Sequence, residues 1–202
     1  TFVFGAKIGY RFYNNPEVRG TGTVNGNFLG IGADWCHRAI VVEASQMPGL
    51  LITNGEFVGG QGAEVFMEVM PSNTGPVNLS NCSFWGPCPQ IALLRGRGTT
   101  SFSQCNFLNH PAQAAKAFTI AAESGDLIVQ GCRFGIDSPD IRLGRDVSSA
   151  AITGNWFHTS KEIINESDGD VQEAANVVGG RPPRTQPSRE RTRGRERTTR
   201  PQ

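Results

Sequence analysis

The sequence predicts an all-β protein: a right-handed parallel β-helix of roughly seven turns, with a disordered C-terminal tail. Three observations predict it. A six-residue motif recurs, apolar residues alternate up to and through it, and its third position holds Asn, Gln or Gly. The motif is clearest as Leu79-Ser80-Asn81-Cys82-Ser83-Phe84. Ile52-Thr53-Asn54-Gly55-Glu56-Phe57, Phe102-Ser103-Gln104-Cys105-Asn106-Phe107, Val129-Gln130-Gly131-Cys132-Arg133-Phe134 and Ile152-Thr153-Gly154-Asn155-Trp156-Phe157 are further copies. Thr23-Val24-Asn25-Gly26-Asn27-Phe28 reads as a weaker early copy and Glu173-Ala174-Ala175-Asn176-Val177-Val178 as a decayed late one. The final positions, 28, 57, 84, 107, 134, 157 and 178, lie 29, 27, 23, 27, 23 and 21 residues apart, an interval proper to stacked repeats.

Each motif position has a physical reading. The first position is apolar, and so usually is the residue two before it, as at Leu50, Val77, Leu127 and Ala150. That alternation describes a strand with one buried face. Asn and Gly tolerate left-handed backbone angles, so the strand should bend at position three. Positions four and six, such as Cys82 and Phe84, then point inward together. Stacked bends would align Asn54 and Asn81 in a ladder and pile the Phe rings inside the coil.

The 202 residues suffice for one elongated domain, assigned to 1–180, with an Arg-rich tail at 181–202. The net charge of +1 conceals an asymmetry, since the tail holds eight Arg and two Glu and leaves −5 on the rest. Thr1-Phe2-Val3-Phe4-Gly5 already reads as a strand, so either a leader has been removed or the chain is the C-terminal part of a longer protein; the need of a solenoid for a capped first turn favours the second. No apolar run is long enough to span a membrane.

Between Phe28 and Leu50, a Gly-rich stretch leads to a strand at Ile40-Val41-Val42. Gly30-x-Gly32 is not a dinucleotide fingerprint, because no helix pattern follows it. Asp34, Trp35 and His37 cluster on this loop. They read either as a sugar-contacting patch, with Trp35 stacking on a pyranose and Asp34 as acid or base, or as a packed loop held by Asp34. Cys82, Cys105 and Cys132 share one motif column. With five Cys in all, they read as stacked buried thiols rather than a disulfide framework. The three His lie on different tiers, which argues against structural zinc. No metal site and no cofactor is expected.

A second strand follows a variable loop in each turn: Glu64–Val69, Ile91–Arg95, Phe118–Ala122, Ile141–Arg145 and Glu162–Asn165. Leu93, Ile120 and Leu143 each precede the next motif by nine residues and are expected to point inward. Ala92, Leu94, Thr119, Ala121, Arg142 and Gly144 would then face out. The stretch Pro111–Ala117 is expected to form one or two helical turns. Glu43 and Glu68, on consecutive second strands, would oppose each other at the scale a glycosidase needs. Glu64 and Glu68 would share one face. Glu68 is the leading acid or base, opposed by its reading as a solvated strand face. Arg95, Glu123, Arg142, Arg145 and Asp146 alternate in sign and read first as ion-pair ladders.

On these motifs, with Asn54 and Asn81 in the ladder position, the chain resembles the pectate-lyase-like superfamily of right-handed β-helix proteins. Within it, the resemblance is to the group related to glycoside hydrolase family 28, over about residues 20–180. It implies binding or cleavage of an acidic polysaccharide or other glycan beside the second strands, and an extracellular or cell-surface setting. The site residues would be Glu68, Glu43 and Asp34 for catalysis, and Trp35, His37, Glu64, Arg95 and Arg142 for substrate. The family's Asn-Thr-Asp, Asp-Asp, Gly-His-Gly and Arg-Ile-Lys patterns are missing. Asp137 and Asp140 beside Arg142 come nearest to a lyase calcium cage, which needs more oxygens than two Asp supply.

The tail has almost no apolar side chain and cannot build a core. It reads either as a contact for nucleic acid, an acidic polymer or an anionic surface, or as a solubilising tail. Two functions remain open: a polysaccharide-binding or polysaccharide-processing enzyme, and a noncatalytic attachment β-helix of adhesin or phage tailspike type.

Overall fold

The computed structural model describes residues 1–15, 17, 26–108, 118–135 and 139–179. The expected helical turns at Pro111–Ala117, Asp137 and the Arg-rich tail lie outside the described residues. Among those described, every regular element is a strand and every strand pairing is parallel. The strands coil into a β-solenoid with three faces.

A short face stacks β1 (Phe2–Phe4), β4 (Gly32–Asp34), β7 (Glu56–Val58), β10 (Ser83–Trp85), β13 (Asn106–Leu108), β15 (Arg133–Phe134), β17 (Trp156–Phe157) and β20 (Val177–Val178). A second face stacks β2 (Ile8–Phe12), β5 (Arg38–Val42), β8 (Val65–Val69), β11 (Gln90–Leu94), the starts of β14 (Ile120–Gln130) and β16 (Ile141–Thr153), and β18 (Ile163–Asn165). The third stacks β3 (Gly26–Leu29), β6 (Leu50–Thr53), β9 (Val77–Ser80), β12 (Thr99–Ser103), the ends of β14 and β16, and β19 (Asp170–Ala174). Six intervals separate β3 from β19, about six full turns.

The bend between the third face and the short face is left-handed in every coil. Asn54, Asn81, Gln104 and Ala175 have φ of 56°, 52°, 55° and 55°, and Gly30, Gly131 and Gly154 occupy the same place. The Asn81 amide donates to the Asn54 carbonyl oxygen at 2.8 Å, a rung of the expected ladder. Phe57, Phe84, Phe107, Phe134 and Phe157 then turn inward and are fully buried. Consecutive ring centroids lie 5.1, 5.6, 4.9 and 4.7 Å apart. Burying each ring contributes roughly 1.5–3 kcal/mol, and each stacked pair about 0.5–1.5 kcal/mol more. Beside them, Cys82, Cys105 and Cys132 form a buried file of free thiols. Asn155 and Asn176 continue the same file, with the Asn155 carbonyl oxygen accepting from the Cys132 amide at 2.8 Å.

Two expectations about register need correction. Phe28 pairs with Ile52, so it occupies motif position one and not position six. The first full copy is Phe28-Leu29-Gly30-Ile31-Gly32-Ala33, and Ala33 lies opposite Phe57. Phe28 suits either column, and only the neighbouring coil decides between them. Leu93 faces outward, whereas Ala92 and Leu94 are in the core with Ile120 and Leu143. The fixed nine-residue offset fails because the corner between the second and third faces differs in length from coil to coil. Register shifts between Ala122 and Ser124, and again between Gly125 and Asp126, mark this corner. Thr119 and Gly144, expected to face out, are likewise buried.

Candidate functional site

The expected catalytic face is closed by ion pairs. Glu68 stands opposite Val41 and Leu93 on the outside of the second face, yet its side chain is only 10% exposed. Arg38 donates to its Oε2 at 3.1 Å, and Arg95 donates to its Oε1. Both carboxylate oxygens are therefore occupied by guanidinium groups, and Glu68 is a buried structural anion rather than an acid or base presented to substrate. Glu43 is gripped by Arg11 through two hydrogen bonds of 2.7 and 3.1 Å, and does not oppose Glu68. Phe66 and Met67, consecutive in sequence, are both in the core, which breaks the alternation meant to align Glu64 with Glu68. Glu64 instead meets His37 Nδ1 at 3.4 Å, out in solvent. Arg142 is bound to Glu166 at 2.8 Å. Asp140 is also no open cation ligand: it is 2% exposed and its Oδ2 accepts the Glu162 amide at 2.8 Å.

An open groove lies just past the second strands, at the corner onto the third face. It measures about 610 Å³ and runs from Pro71 past Arg95 and Arg97 to Glu123, Ser124, Asp146 and Ser148. These residues come from four successive coils, and coils repeat every ~4.8 Å, so the groove follows the solenoid axis. At this corner glycines let successive coils approach closely. A Cβ on Gly98 would come within 2.2 Å of the Gly75 carbonyl oxygen, and one on Gly125 within 2.6 Å of those of Gly96 and Gly98. The side chains of Arg97, Glu123 and Asp146 form no hydrogen bond or ion pair among the described residues, although the Glu123 charge is felt by Arg142. Ser124 and Asp146 are register partners, so the carboxylates of Glu123 and Asp146 belong to adjacent coils at neighbouring positions. The alternating signs predict both as members of ion-pair ladders, and neither side chain joins one among the described residues.

Asp34 and Trp35 come together on the outside of the short face, and His37 turns away toward Glu64. Trp35 is 51% exposed, with its ring 5.9 Å from that of Phe4 at an interplanar angle of 25°. Asp34 shares this surface with Glu56 of the next coil. Burial and the nearby Glu56 charge push the Asp34 carboxyl above its ordinary value, and its Oδ1 is buried without a hydrogen-bond partner. Glu56 accepts the indole N–H of Trp85 at 3.1 Å. The sequence reading missed Glu56 and Trp85. The missing signal is the residue after each motif: Phe4, Asp34, Val58 and Trp85 form one outward file once the first copy is set in its proper register.

No helix among the described residues is long and apolar enough to cross a membrane. A search of family models, of curated proteins and of solved structures finds no match to this chain.

Proposed function

We propose that this protein is a glycan-binding β-solenoid, and that a polysaccharide lies along the groove past the second strands. The carrying observation is the groove's lining: Arg97, Glu123 and Asp146, unpaired and of both signs, spread over successive coils. A polymer of hydroxyl-rich units can meet such a lining with donors and acceptors at a regular interval. The pectate-lyase-like resemblance favours this use, and fold analogy alone does not establish it.

Cleavage, where it occurs, is assigned to Glu123 and Asp146. A retaining glycosidase holds its carboxyl groups about 5–5.5 Å apart, close to the ~4.8 Å between coils. Titration with galacturonate, alginate and neutral oligosaccharides, with reducing ends counted in parallel, tests both statements. Saturable binding that weakens about tenfold or more in Arg97→Ala supports the groove. Loss of cleavage with retained binding in Glu123→Gln or Asp146→Asn assigns the carboxylates. If no glycan binds to the folded chain, the attachment reading stands instead. The closed Arg38–Glu68–Arg95 cluster favours that alternative, because it turns the second face into a rigid wall.

A further inference from the structure

A second surface, on a different face from the groove and independent of it, has the composition of a sugar platform. Phe4, Trp35 and Trp85 are 70%, 51% and 43% exposed. They project from the short face on the first, second and fourth coils. Phe4 and Trp85 stand in one outward file and Trp35 directly follows its Asp34 member, and large apolar rings gathered so are unusual for a surface that meets only water.

Trp35 carries the argument furthest. Its φ is 54°, in the left-handed region, where the preceding coil places Gly5 at 66°. A side chain there costs roughly 1–2 kcal/mol, which glycine would avoid. The ring is nonetheless held firmly. Phe4 stacks on it, and Gly60 lies so close that a Cβ there would meet the indole at 2.7 Å. Trp85 is fixed too, by its hydrogen bond to Glu56. Backbone strain spent on a rigid, exposed indole points to a ligand.

We infer that Phe4, Trp35 and Trp85, with Asp34 and Glu56, form a platform that binds an uncharged pyranose chain. Indole faces stack on the C–H faces of pyranose rings. Carboxylates beside them accept hydrogen bonds from hydroxyl groups. Trp35 and Trp85 are two coils apart, ~9.6 Å along the axis, close to two residues of an extended β-linked chain. The charge selects among glycans. No cation pairs with Asp34 or Glu56 among the described residues, so a uronate chain is repelled where a neutral one is not.

The test titrates the full chain with hexaoses of β-1,4-glucose, β-1,4-mannose, β-1,4-xylose and galacturonate, following tryptophan emission and heat. A saturable change with at least one neutral hexaose is expected, and none with galacturonate at this surface. Trp35→Ala and Trp85→Ala should each weaken it about tenfold or more, and Glu56→Gln by a smaller factor. Trp156→Phe, far along the solenoid, should leave it unchanged. The proposal is overturned if no neutral hexaose binds, or if Trp35→Ala and Trp85→Ala, shown folded by their unfolding curves, both bind as well as the parent chain. Self-association that disappears in Trp35→Ala would overturn it as well, by showing that a second copy covers the rings.

Discussion

Lowering the pH from about 8 to about 5 is expected to stabilise this fold, through Asp140. Its carboxylate is 2% exposed and receives one hydrogen bond, from the Glu162 amide. Desolvation and the neighbouring Glu162 charge both favour the neutral acid and outweigh that bond, holding its pKa at about 7 against an ordinary 3.8. Between those two values the folded chain keeps a proton that the unfolded chain has released. Stability is therefore fully present below the lower value and declines as pH rises through the higher one. A shift of about three units corresponds to roughly 4 kcal/mol. The assay is the urea midpoint of the parent chain and of Asp140→Asn, each at about pH 5 and about pH 8. Asn keeps an oxygen for the Glu162 amide and carries no charge. The variant should lose most of the pH dependence and gain about 2–4 kcal/mol at the higher pH. Equal slopes in the two proteins, or a variant weaker than the parent at about pH 8, would refute the reasoning.

Two further outcomes follow from the same structure. Glu68→Gln should lower stability by about 2 kcal/mol, because Arg38 and Arg95 lose their shared counter-ion; their partial exposure keeps the loss below that of a fully buried pair. An unchanged urea midpoint would show that this cluster contributes nothing. All five cysteines should resist a thiol reagent in native buffer and react together once urea unfolds the chain. Fast reaction of Cys82, Cys105 or Cys132 in the folded protein would contradict their burial.

Much of the architecture was legible in order of residues alone. Identical side chains at a recurring interval can satisfy one another only when coils stack in parallel, so the Phe and Cys files followed from the repeat. The Asn, Gln and Gly at motif position three announced the left-handed bend, because few other residues adopt it at low cost. The decayed copy ending at Val178 was also placed in its proper column, opposite Phe157.

Partnership across coils was decided only by the tertiary structure. Glu68 reads as an exposed acid until Arg38 and Arg95, 30 and 27 residues away, close over it. Phe28 changes column according to which residue of the next coil it meets, and Leu93 changes side according to the length of one corner. Glu56 and Trp85 join Asp34 and Trp35 because three successive coils bring them to one surface. A repeat is local and can be read from spacing. Charge neutralisation and exposure depend on neighbours a whole coil away, and corner lengths that vary between coils set which neighbours those are.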